Sequence, residues 1–215
     1  MQFKRRSHSL QAVQVGTNLR FLNRIFQNPN SKCLLGNPKP LNCIRRMQAV
    51  RFCKTLFGCA IPFLLDASGP LLLNGMEASP VLIKPNEEEY YATFGVHPSV
   101  TQKFCASYHQ LLLAHNIAYG AVSLGEKGAL LVTPEAAWYS EPVSVDVKGV
   151  QGAGDSMVSG FAYAIAKQCT QGDQLLKMAV SCAHASLELP GTQMCTMAGV
   201  EKRFPLTPVK QFCTF

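Results

Sequence analysis

No carboxylate precedes Asp66 in this 215-residue chain, although the same stretch carries eleven Lys or Arg, from Lys4 to Lys54. The formal charge of +7 is therefore local: past that point nine basic residues face all thirteen acidic ones. A basic face across the folded part is excluded, and no nucleic-acid partner is expected. The nine cysteines contain no Cys-x-x-Cys pair, and the chain starts without a hydrophobic signal segment. Both absences argue against a zinc site or a disulfide framework and for reduced thiols in a cytoplasmic protein. Long apolar runs are missing too. Ala60 to Leu65 and Ala129 to Val132 are strand-sized, far below the roughly 20 residues that cross a bilayer, so no membrane span is expected.

What is present is a 47% hydrophobic chain that can fill one sizeable core. Residues 1–58 do not join its pattern and are expected to be poorly ordered or unlike the remainder. Three readings of them stay open: an organelle transit peptide, a nucleic-acid-binding arm, or a reading-frame artefact. Residues 59–215 read as alternating strands and helices. Ile61 to Leu65 and Val81 to Ile83 are buried strands, the first followed by a loop through Gly69, and the acidic stretch from Asn86 opens a helix. Val100, Phe104, Tyr108, Leu111 and Leu112 recur at helical spacing, which predicts a helix over 99–115. Strands over 117–124, 129–132, 137–139 and 143–147 come next. A helix to about Lys167 and another from an Asp173 cap to about Leu187 complete an α/β sheet with helices on both faces.

The strongest local signal is Gly152-Ala153-Gly154-Asp155, a glycine turn running straight into an apolar helix. Two glycines let main-chain N–H groups converge at a helix N-terminus, where the dipole favours anionic oxygen. Asp155 beside them is placed to take the proton of an attacking hydroxyl while those donors hold charge on a transferring phosphoryl group. Three other segments stand out: Ile83-Lys84-Pro85-Asn86-Glu87-Glu88-Glu89, Ser123-Leu124-Gly125 with Gly128-Ala129, and Gly191-Thr192-Gln193-Met194-Cys195. Taken singly, the first is also a solvated helix start and the second also a hairpin turn. His184, on an apolar helix face, reads as a packed histidine and not a catalyst.

In this order, over about Leu64 to Thr196, these segments resemble the ribokinase-like (PfkB) carbohydrate kinases, and within them the group of 1-phosphofructokinase and tagatose-6-phosphate kinase. The resemblance implies a three-layer α/β/α fold with a mainly parallel sheet, truncated at the N-terminus. It implies ATP and Mg2+ as cofactors, a sugar phosphate as acceptor, and a homodimer. Asp155 becomes the catalytic base, with Gly152, Ala153 and Gly154 forming the anion hole. Lys84, Asn86, Ser123, Gly125, Gly128 and Gly154 become nucleotide contacts, and Glu89 with Asn86 would hold magnesium through water. Two departures stand against this. Val150 replaces the family's usual threonine two residues before the turn, and before residue 60 there is no Gly-Gly followed by Asn and no acidic sugar contact. The sugar-binding part and its β lid are thus expected to be lacking.

Overall fold

A computed structural model describes residues 11–14 and 62–215 of the chain. Apart from 11–14, the basic segment 1–58 lies outside the described residues, as does Ile61. Among the described residues a seven-stranded sheet runs in sequence order: β1 (Gln11–Gln14), β2 (Phe63–Asp66), β3 (Leu82–Ile83), β4 (Tyr119–Ser123), β5 (Ala129–Val132), β6 (Ala136–Ser140) and β7 (Val209–Thr214). The pairings β1–β2, β2–β3 and β3–β4 are parallel, and the last three are antiparallel, so five of the seven strands point the same way.

Period-two alternation sends the strands' side chains to two separate cores. Phe63, Leu65, Ile83, Val122, Leu130 and Val132 pack on one face beneath α1 (Gly69–Met76), α2 (Glu87–Phe94) and α3 (Gln102–Ala114). Leu64, Leu82, Ala121 and Leu131 pack on the other against α4 (Ala153–Ala166) and α5 (Gly172–Leu187). The result is the expected three-layer α/β/α arrangement. On the first face Tyr90 of α2 meets Phe104 and Tyr108 of α3 edge-on, with centroids 5.2 and 5.3 Å away. The helical spacing of α3 buries Phe104, Cys105, Tyr108 and Leu112, and Thr101 caps its start by accepting the Phe104 N–H.

The structure adds and corrects elements. The loop expected through Gly69 leads into α1, with Pro70 in the first turn, where its missing N–H costs nothing. A short helix α6 (Met197–Arg203) and the edge strand β7 follow α5. No strand forms over 143–147: β6 pairs with β7 instead, Ser140 opposite Val209. Asp173 is not the cap of α5. Gln171 is the N-cap of that helix, two residues earlier, and Gly172 lies against the Trp138 indole, where an added Cβ would come within 2.2 Å of Nε1. Asp173 sits in its first turn.

Candidate active site

Parallel pairing aligns the ends of neighbouring strands, so whatever follows β2, β3 and β4 emerges at one edge of the sheet. β2 ends in Asp66 and β3 runs into Lys84, whose N–H donates to the Leu65 carbonyl at 3.0 Å. The two side chains form an ion pair of 3.3 Å, with the lysine 4% and the aspartate 11% exposed. Burial pushes the Asp66 carboxyl up, Lys84 pulls it back down, and the negative charges of Glu89 and Asp155 raise it again. Three carboxylates and one ammonium therefore share a single electrostatic neighbourhood.

Asn86 and Glu89 form a reciprocal capping box at the start of α2. The Asn86 N–H donates to Glu89 Oε2 at 2.8 Å, and the Glu89 N–H donates to Asn86 Oδ1 at 2.8 Å. Asn86 is thus the cap and Glu89 lies in the first turn, which fills the structural role weighed for this acidic start. Thr93 Oγ1 donates to the Glu89 carbonyl and accepts the Gly69 N–H, which ties the beginning of α1 to α2. Ser123, at the end of β4, bridges to Asn86 and donates its N–H to the Pro85 carbonyl at 3.3 Å. Gly125 opens a single 3-10 turn (Gly125–Lys127), and Gly128 closes it at φ +92° against the Ser140 carbonyl. That hairpin is held to α2 by an ion pair of Lys127 with Glu87 at 2.9 Å.

The glycine turn approaches the same edge from α4. Gly152 is the N-cap at φ 87°, a left-handed conformation that side chains rarely tolerate, and its carbonyl accepts the Ser156 N–H at 2.8 Å. The first turn of α4 holds Ala153, Gly154 and Asp155, so main-chain donors and the positive dipole end lie there together. A Cβ built on Gly154 would stand 3.8 Å from Lys84 Nζ, which sets the ammonium against the turn. The segment after α5 packs against this turn: Ser156 Oγ donates to Met194 Sδ at 3.4 Å, and Ser186 Oγ to the Gln193 carbonyl at 3.0 Å. Val150, where a hydroxyl was expected, is 71% exposed.

Lys84, Asn86, Glu89, Ser123, Gly152, Ala153, Gly154 and Asp155 are thus brought to one sheet edge, while Gly125 and Gly128 lie beyond it on the hairpin. Asp66 was not singled out from sequence as a site residue. Its signal was available as the first acid of the chain, closing a buried strand. His184 lies half-buried on α5 with Nδ1 unpartnered, as befits a packing residue. Two clefts, of about 370 and 380 Å3 beside Trp138 and beside Pro205, include none of these side chains.

The α/β/α sandwich, with a glycine-led helix start at the carboxyl ends of its parallel strands, is the ribokinase-like fold. Residues 37–198 match the pfkB family of carbohydrate kinases, and the chain belongs to that family. The match begins inside the basic N-terminal segment. The 1-phosphofructokinase of Escherichia coli (strain K12) is 37% identical over 102 residues, covering 47% of this chain and 32% of that protein. The 1-phosphofructokinase of Xanthomonas campestris pv. campestris is 31% identical over 141 residues, covering 64% and 44%. The chain thus spans 32% and 44% of the length of these two relatives, less than half of either. Among solved structures, phosphofructokinase-2 from Escherichia coli in complex with substrates and products superimposes with a TM-score of 0.68 at 23% identity, over 76% of this chain and 53% of that one. A carbohydrate kinase from Agrobacterium tumefaciens gives 0.60 at 21%, over 77% and 53%.

Proposed function

We propose that this chain binds ATP with magnesium at the edge described above and transfers the γ-phosphoryl group to a hydroxyl of a ketohexose phosphate, converting fructose 1-phosphate to fructose 1,6-bisphosphate. The observation that carries the reading is the convergence of the α4 first turn, Asp155 and the Lys84–Asp66 pair at one sheet edge. The amides of Gly152, Ala153 and Gly154 would receive the transferring phosphoryl oxygens, with Lys84 a neighbouring phosphate contact. Asp155 would accept the hydroxyl proton as the new P–O bond forms and ADP departs. Ser123, Gly125 and Gly128 would face the nucleotide.

The donor set suits a hydrated magnesium ion better than a directly caged one. One Glu89 oxygen and the Asn86 carbonyl oxygen are already engaged in the capping box, and among the described residues no three His, Cys, Asp or Glu side chains gather into a metal site. Asn86 and Glu89 would therefore hold the ion through water, and it would screen phosphate charge when bound. The acceptor sugar is inferred from the names of the similar proteins. A cytoplasmic homodimer belongs to the same reading, and no helix among the described residues is long and apolar enough to cross a membrane.

A second reading, nucleotide binding without sugar transfer, is favoured by one fact: the chain covers only 32% and 44% of the two 1-phosphofructokinases. Calorimetric titration with ATP and magnesium, run beside a coupled assay for ADP release, separates the two. The first reading expects ADP release dependent on fructose 1-phosphate, and Asp155→Asn should lower that rate by roughly 100- to 10,000-fold while leaving ATP binding intact. ATP binding with no release on fructose 1-phosphate or tagatose 6-phosphate would establish the second. Absence of ATP binding would refute both.

A further inference from the structure

Outside this site, two free thiols share a small cluster beside α4. Cys182 lies buried in α5, and Cys195 lies half-buried in the segment joining α5 to α6. They pack in one small cluster with Met178, Ala185 and Val200. The Cys182 thiol stands against α4, where a Cβ on Gly160 would reach within 3.0 Å of its sulfur. Within that cluster the two thiols are close enough to shift each other's acidity, and the Ser156 hydroxyl acts on Cys195 as well. Met194, one residue earlier, already accepts that same hydroxyl.

We propose that Cys182 and Cys195 are a disulfide-forming modification site, whose closure by a low-molecular-weight disulfide such as oxidised glutathione pins the segment between α5 and α6 to α5. Cys195 is the attacking sulfur, because it is the more exposed of the two. The neighbouring Cys182 thiol, helped by Ser156, lowers the Cys195 pKa to about 7 against the opposing effect of burial, whereas the Cys182 pKa is raised by Cys195 and by burial. The Cys195 thiolate attacks one sulfur of oxidised glutathione and expels a glutathione thiolate. Cys182, losing its proton to solvent, then attacks the Cys195 sulfur and expels the second glutathione thiolate. Two protein thiols are oxidised to one disulfide and one oxidised glutathione is reduced to two thiols, so the electrons balance. Cys105 of α3 and Cys213 of β7 form a second neighbouring pair, but Cys105 is pushed up to about 12, mainly by burial, which leaves it a poor nucleophile.

The full reduced chain, incubated with oxidised glutathione and digested without reductant, decides the matter by mass mapping. The expected product is a Cys182–Cys195 linked peptide, reversed by dithiothreitol and abolished by Cys195→Ser. Cys182→Ala should instead trap a stable glutathione adduct on Cys195. A stable adduct on Cys195 with Cys182 intact, or both thiols unmodified in the unsubstituted chain, would overturn the assignment. The consequence for nucleotide rests on the reading of α4 as the phosphate site. Closure shifts the segment whose Met194 accepts the Ser156 hydroxyl, next to Asp155, so the oxidised chain should bind ATP several-fold more weakly than the reduced one. Equal affinities would sink that coupling. If the reduced chain binds no ATP, the reading of α4 falls, while the mapping still decides the disulfide.

Discussion

Lys84 and Asp66 are each costly to bury alone, and neither reaches solvent in quantity. Their attraction offsets much of the loss of water, so removing one partner strands the other. Lys84→Met should therefore destabilise the fold by about 3–5 kcal/mol at neutral pH, measured by urea unfolding. That loss should shrink in acid, where the stranded Asp66 can take up a proton, and the double variant Lys84→Met with Asp66→Leu should recover most of it. A loss that did not vary with pH would show that packing and not charge is at stake. The same pair shows how unevenly residue roles read from sequence. Lys84 was marked by its place beside Pro85 and Asn86, whereas the ion pair joins residues separated by α1 and was invisible until β2 and β3 lay side by side.

At the scale of elements, the start of α2 joins two functions in two side chains. Its capping box satisfies main-chain donors, and the same Glu89 carboxylate is the proposed holder of hydrated magnesium. Substitution separates them. Asn86→Ala should cost about 1 kcal/mol of stability by denaturant titration through the lost cap. Glu89→Gln retains a side chain that can close the box, so stability should change by less than about 0.5 kcal/mol while the magnesium concentration needed for phosphoryl transfer rises. If Glu89→Gln proved as destabilising as Asn86→Ala with its magnesium requirement unchanged, the carboxylate would be a cap and nothing more. The helices α3, α4 and α5 were legible because each carries a long apolar stripe. The helix α1 was not, since Gly69-Pro70 reads as a turn and its three leucines run consecutively without a period.

For the whole molecule, acid sensitivity should centre on the junction of α5 and α6. His184 is held down at about 4, chiefly by burial and then by Arg203, although Glu188 pulls the other way. Glu188 and Arg203 form an ion pair across that junction. Because the folded histidine binds its proton less readily than the unfolded one, the unfolded state carries more protons between about pH 6.5 and 4. Stability from this group is thus present above that window and lost as the pH falls through it. Thermal melts from pH 7 to 4.5 should show Tm dropping, and His184→Gln should flatten the drop. An unchanged slope would place the acid-sensitive group elsewhere.

The sequence by itself determined the α/β class, the two apolar faces of the sheet and the glycine turn with Asp155 at a helix start, because each is written in local spacing and local backbone freedom. Tertiary structure alone decided which segments became neighbours. The 143–147 stretch has the composition of a strand but lies irregular, because the edge of β6 is taken by β7 from the far end of the chain. Likewise the Lys84–Asp66 pair and the Cys182–Cys195 contact exist only where separate elements pack. Hydrogen-bond partners for a strand and counter-ions for a buried charge are supplied by whatever the fold brings alongside, and local spacing does not encode that.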